Sequence, residues 1–262
     1  MQRMRFYRFI TIALLSFCLI SCASKAETES VKPQNTSVPP AETIAQAENL
    51  FRQRDDIAKL REAVKMLGAA RSMDNRSYEI EWQFARLNYF LGKQTADEKE
   101  SEKAFEDGVQ AGKIAAKIEP NKPDGHFWYG ANLGEQARRS PVTVGIKSID
   151  DIRAAMNKVI EIQPGYQNAS AYDALAQVEL QAGMLGGGKP EKAIEYLEKA
   201  LTLDKNNTYV YLHLGEAYLA VNRDADAKKQ LEYLLKIKPN PDYLPEHKET
   251  TDKAKKLLET RF

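Results

Sequence analysis

The segment from Gly183 to Pro190 comes within one residue of a phosphate-binding loop. Gly183, Gly188 and Lys189 have the spacing such a loop needs: glycines let backbone N–H groups approach phosphate, and the lysine reaches its oxygens. The hydroxyl that would hold Mg²⁺ is missing, because Pro190 stands in its place. The segment follows a helical pattern, not a strand, and Pro190 suits the first position of another helix. An interhelix loop is expected. His126, His213 and His247 are far apart in sequence and show no metal-ligand spacing. Glu98, Glu100, Glu102 and Glu106 lie among lysines, as on a solvated helix face. Asp150 and Asp151 are expected at a helix start, where carboxylates meet free N–H groups. No nucleophile, base and acid can be assembled from these residues, so neither an enzyme nor a cofactor or metal is expected. Arg138 and Arg139, ahead of Ser140 and Pro141, leave two readings open. They supply favourable charge at a helix C-terminus, or they contact an anion or carboxylate.

The remaining chemistry is at the N-terminus. Arg3, Arg5 and Arg8 precede an apolar run from Phe9 to Ile20, too short to span a bilayer and laid out as a secretory signal. Leu19, Ile20, Ser21 and Cys22 resemble the bacterial lipobox, which implies cleavage before Cys22 and acylation of its thiol. Residues 1–21 are thus expected to be a signal peptide and the mature protein a lipoprotein. Ala23 and Ser24 follow the cysteine where an acidic residue would favour inner-membrane retention. The outer membrane, facing the periplasm, is the expected location. Residues 22–40 are rich in Ser, Thr, Glu and Pro and read as a flexible tether.

The chain has 262 residues and a net charge of +1, which becomes −2 once the three arginines of the signal are removed. Nothing in that balance points to nucleic acid. With only Cys18 and Cys22 present, the domain has no disulfide and is held by packing alone. Residues 41–262 read as one succession of amphipathic helices. Tyr211, Leu214, Gly215 and Tyr218 on one helix, then Ala227, Leu231 and Leu234 on the next, then Pro239, form the clearest unit. Small Gly215 and Ala227 let two helices approach, and Pro239 stops the second. Related patterns start at Trp82, Trp128 and Tyr172, and Ala63, Leu67 and Ala70 mark a further second helix.

This pattern resembles the tetratricopeptide repeat. The resemblance implies an all-α solenoid of about five helical hairpins, closed by a capping helix near 246–261. It departs from the repeat at Glu179, where an aromatic is usual, and in insertions within the middle repeats. Trp82, Tyr89, Trp128, Tyr172, Tyr211 and Tyr218 fall at packing positions. Carried onto this chain, the repeat's groove positions give Ile80, Leu87, Phe90, Leu91, Tyr129 and Leu133 as an apolar surface for a partner or ligand. Arg138 and Arg139 stand at its rim. The lipid anchor, the insertion after the Trp128 helix and the break at Gly186 to Gly188 together look like the T component of TRAP transporters, which associates with a substrate-binding protein. The expected function is that of a membrane-anchored periplasmic scaffold for a protein partner. The alternatives are a carrier of small apolar ligands, lined by Leu87, Phe90 and Leu133, and a general envelope-assembly scaffold.

Overall fold

The computed structural model describes residues 40–74, 76–184 and 188–262. The signal peptide, Cys22 and nearly all of the tether lie outside the described residues. Among those residues the chain forms eleven α-helices and no strand. They are α1 (Pro40–Phe51), α2 (Ile57–Ala70), α3 (Tyr78–Gln94), α4 (Glu98–Ile118), α5 (Pro123–Arg139) and α6 (Ile146–Ile162). There follow α7 (Tyr166–Met184), α8 (Pro190–Leu203), α9 (Thr208–Ala220), α10 (Asp224–Leu234) and α11 (Leu244–Arg261). Consecutive helices pair as five hairpins among the described residues, and α11 packs on α9 and α10 as the cap. None of these helices is long and apolar enough to cross a membrane.

Local chemistry sets the helix ends. Asp56 accepts from the Ala58 N–H at 2.9 Å, Asp97 from the N–H groups of Lys99 and Glu100, and Asn207 from that of Tyr209. Each side chain satisfies donors that have no partner in the helix itself. Pro190 opens α8, so the glycine-rich stretch leads into a helix as its sequence implied. Asp150 and Asp151 do not cap α6. A π-helical turn, Pro141–Gly145, runs into α6 without a break, so the helix begins at Ile146 and both aspartates fall in its second turn.

Close approach of helices is bought with glycine. A Cβ on Gly112 of α4 would stand 2.5 Å from the backbone nitrogen of Tyr129 on α5, and one on Gly215 would stand 2.8 Å from Leu231 Cδ2. Two carboxylates, half-buried Asp124 and buried Glu179, tie neighbouring hairpins together. Asp124 accepts from the hydroxyls of both Tyr78 and Tyr166, each at 2.7 Å. Glu179, 3% exposed, accepts from Arg153 Nη2 at 3.0 Å and from the Lys189 N–H at 3.3 Å. A carboxylate thus takes the place of the repeat's usual aromatic, with partners on α6 and at the start of α8.

Two features depart from a plain row of hairpins. Gln167, Asn168 and Ala169 all have positive φ, forming a left-handed turn at the start of α7. Non-glycine residues adopt that region at a cost, and three in succession persist only where their surroundings hold them. Here Asn168 Nδ2 donates to Asp204, Asn207 Nδ2 donates to the Asn168 carbonyl, and Ser170 donates to that of Gln167. The second feature joins the two ends. Arg54, between α1 and α2, donates to both carboxylate oxygens of Glu246 on α11 at 2.9–3.0 Å and to the Asp242 carbonyl at 2.6 Å. Its guanidinium also lies 4.6 Å from the centre of the Phe51 ring. The first hairpin therefore meets the cap, 192 positions along the chain.

Candidate binding cavity

Helices α3, α5, α6, α7, α9 and α11 each contribute to a shared cavity of about 770 Å³. This is within the size range of sites for small ligands. Phe90, Ile149, Ala174 and Val178 form its apolar wall, backed by the buried Trp128, Ile152 and Met156. Lys93, Asp173, His213, Glu216 and Glu249 form a polar one. The left-handed turn borders the cavity through Gln167 and Asn168.

The polar wall is knit across helices. Lys93 Nζ lies 3.3 Å from the Tyr209 hydroxyl and 3.5 Å from Glu249, and the Tyr209 hydroxyl donates to the same carboxylate. Lys253 Nζ meets Glu249 at 2.7 Å. Burial alone would raise the Glu249 pKa, but Lys93, Lys253 and Tyr209 outweigh it and hold the group at about 2. Burial likewise favours neutral Lys93, and the tyrosines and carboxylates around it reverse that, so its pKa is raised. His213 Nδ1 sits 2.6 Å from Asp173. Burial opposes its charge, yet Asp173, with Glu216 nearby, overcomes both burial and Lys253 and moves the pKa upward. The Gln177 side-chain nitrogen is buried on this wall without a hydrogen-bond partner among the described residues. No grouping of His, Cys, Asp or Glu among those residues is arranged to hold a metal ion.

The groove drawn from sequence is largely absent. Ile80, Leu87, Leu91 and Leu133 are buried at 8% exposure or less and belong to the core. Leu87 and Leu133 therefore cannot line a carrier for apolar ligands. Tyr129 is half-buried and donates to Asp151 at 3.2 Å, away from the cavity. Only Phe90 and Arg138 of the expected set border it. Arg138 is held by Glu135 at 2.8 Å, and Arg139 donates to the Gly92 carbonyl at 3.2 Å while covering the Phe105 ring. Both guanidinium groups are thus engaged within the protein. The cause of the mismatch on α3 is a shift in register. Glu81, Phe84, Ala85 and Asn88 take the packing face, leaving Trp82 and Tyr89 half-buried. Trp82 instead donates to Glu79 at 2.7 Å, and Tyr89 borders the cavity. Trp128, Tyr172, Tyr211 and Tyr218 are buried as their positions implied. Sequence reasoning had no signal for Lys93, Asp173, His213 and Glu249 as a set, because they come from four helices spread over more than half of the chain.

Comparison with known proteins separates fold from role. A tetratricopeptide-repeat model matches residues 184–244. The model of the family described as regulator of microtubule dynamics protein 1-3 matches residues 43–172. No curated protein matches the chain. Among solved structures, a thermophilic tetratricopeptide protein of Thermus thermophilus superposes with a TM-score of 0.60 at 17% identity, covering 82% of this chain and 99% of its own. The pilF protein of Pseudomonas aeruginosa gives a TM-score of 0.55 at 16% identity, covering 84% and 93%. MamA of Desulfovibrio magneticus gives 0.50 at 18% identity, covering 75% and 95%. Likeness at this identity speaks for the fold alone.

Proposed function

We propose that this chain, a tetratricopeptide-repeat protein, is a scaffold anchored by lipid on Cys22 in the outer membrane, where it holds a protein partner in the periplasm. The substrate-binding protein of a TRAP transporter is the specific partner put forward. The lipobox-like residues Leu19 to Cys22 support the anchor, and the repeat fold, whose use is to bind proteins, supports the role. One observation carries the choice of surface. Val142 and Ile146 are 74% and 58% exposed, on the segment whose Pro141 and Gly145 border the cavity. Large apolar groups presented to water at the edge of a concave face mark an interaction site, with burial worth about 25 cal/mol per Å².

Affinity capture with the full chain, followed by identification of the retained protein, tests this reading. Val142→Asp with Ile146→Asp is expected to lose capture of the substrate-binding protein while the helical signal is unchanged. Cys22→Ser is expected to abolish incorporation of labelled fatty acid and leave an unprocessed precursor. Capture of a different envelope protein would favour the general assembly scaffold. Lipid on the Cys22→Ser chain would remove the anchor from the reading.

A further inference from the structure

Charge around the cavity is matched group by group. Lys93 and Lys253 meet Glu249, Arg138 meets Glu135, Arg54 meets Glu246, and His213 meets Asp173. Lys238 is at the rim and exposed to water. Glu216 differs from all of these. It lies on α9 one turn beyond His213, is half-buried, borders the cavity, and makes no hydrogen bond or salt bridge with the described residues. Its field acts on His213, which is already taken by Asp173. A half-buried carboxylate with no hydrogen bond of its own is open to a direct ion pair with the cation of a ligand.

The rest of the lining is largely apolar and aromatic, with half-buried Tyr89 and Phe90, Ile149 and Val178. Aromatic faces attract cations, and the hydrocarbon around them suits an alkyl body. We propose that the cavity is a binding site for a small amphipathic organic cation, its charged head at Glu216 and its apolar body against Phe90 and Val178. This inference is independent of the protein partner put forward above, because the surface named there lies outside the cavity wall.

Gly134 offers a test that leaves the fold alone. It borders the cavity, and a Cβ built on it meets nothing within 4 Å, so a larger side chain there fills the cavity and not the core. The experiment is calorimetric titration of the full chain with decyltrimethylammonium, decanoate and decanol, the two ionic probes below their micellar range and decanol below its solubility limit. Decyltrimethylammonium is expected to bind saturably, and the other two at least tenfold more weakly. Glu216→Gln is expected to weaken the ammonium at least tenfold without lowering the melting temperature. Gly134→Leu is expected to abolish binding with the helical signal intact, and it decides the matter if Glu216→Gln does not fold. Equal binding of decanoate would overturn the proposal. So would ammonium binding that neither variant changes, or no binding of the ammonium at all.

Discussion

Two glycines, one on α4 and one on α5, are expected to respond to the same substitution in opposite ways. Gly112→Ala drives a methyl group into the Tyr129 backbone, which cannot move aside as a side chain would. A loss of about 1–3 kcal/mol in denaturant unfolding is expected, the usual range for overpacking a close contact. Gly134→Ala meets open space in a helix interior, where alanine is favoured over glycine by about 1 kcal/mol. It is expected to be neutral or stabilising by up to that amount. His213 makes a pH-dependent contribution. Its folded pKa is raised by Asp173 on α7 and Glu216 on α9, against burial and Lys253 on α11. A raised value means that the charged pair stabilises fully below the unfolded value of about 6.5 and fades as pH rises through the folded one. The melting temperature of the native chain is expected to exceed that of His213→Gln most at mildly acidic pH. The gap narrows on the alkaline side.

At the scale of elements, the contact between Arg54 and Glu246 is the one to break. Their side chains are 6% and 14% exposed, so removing either partner strands a buried charge. Arg54→Met is expected to cost about 3–5 kcal/mol. In a repeat array that cost falls first on the adjoining units. Hydrogen exchange in α11 and the Pro241–Tyr243 turn is expected to accelerate well before that in α4 and α5. Uniform acceleration would show that the contact supports the whole array and not its end. The elements themselves were legible in sequence, because apolar spacing, small residues at Gly215 and Ala227, and prolines at helix ends act locally. What was hidden is informative. Trp82 and Tyr89 read as core because they fall at the repeat's packing positions, yet Glu81, Phe84, Ala85 and Asn88 take the buried face of α3. Gln167, Asn168 and Ala169 contain no glycine to signal positive φ, and only their distant partners Asp204 and Asn207 explain the turn. The cavity was out of reach for a related reason. It depends on the summed rotation of the hairpins, which no single repeat encodes.

Over the whole molecule, stability rests on packing and on the bonds between hairpins. Residues 41–262 contain no cysteine, so circular dichroism and the melting temperature are expected to be insensitive to reductant. A shift on reduction would require a bond elsewhere in the chain. The junction of first hairpin and cap has a further consequence, for the order of events during synthesis. An open row of repeats can gain structure unit by unit as each leaves the ribosome or the export channel. Here one of the walls is α11, made from residues 244–261, and its anchor at Arg54 has been waiting since the first hairpin appeared. Until α11 arrives, the pocket lacks that wall, with its Glu246 and Glu249. Nothing can be held inside by a nascent chain, and a message cut short anywhere before α11 yields hairpins without a chamber. Any ligand of the cavity would thereby be confined to molecules in which α11 has docked.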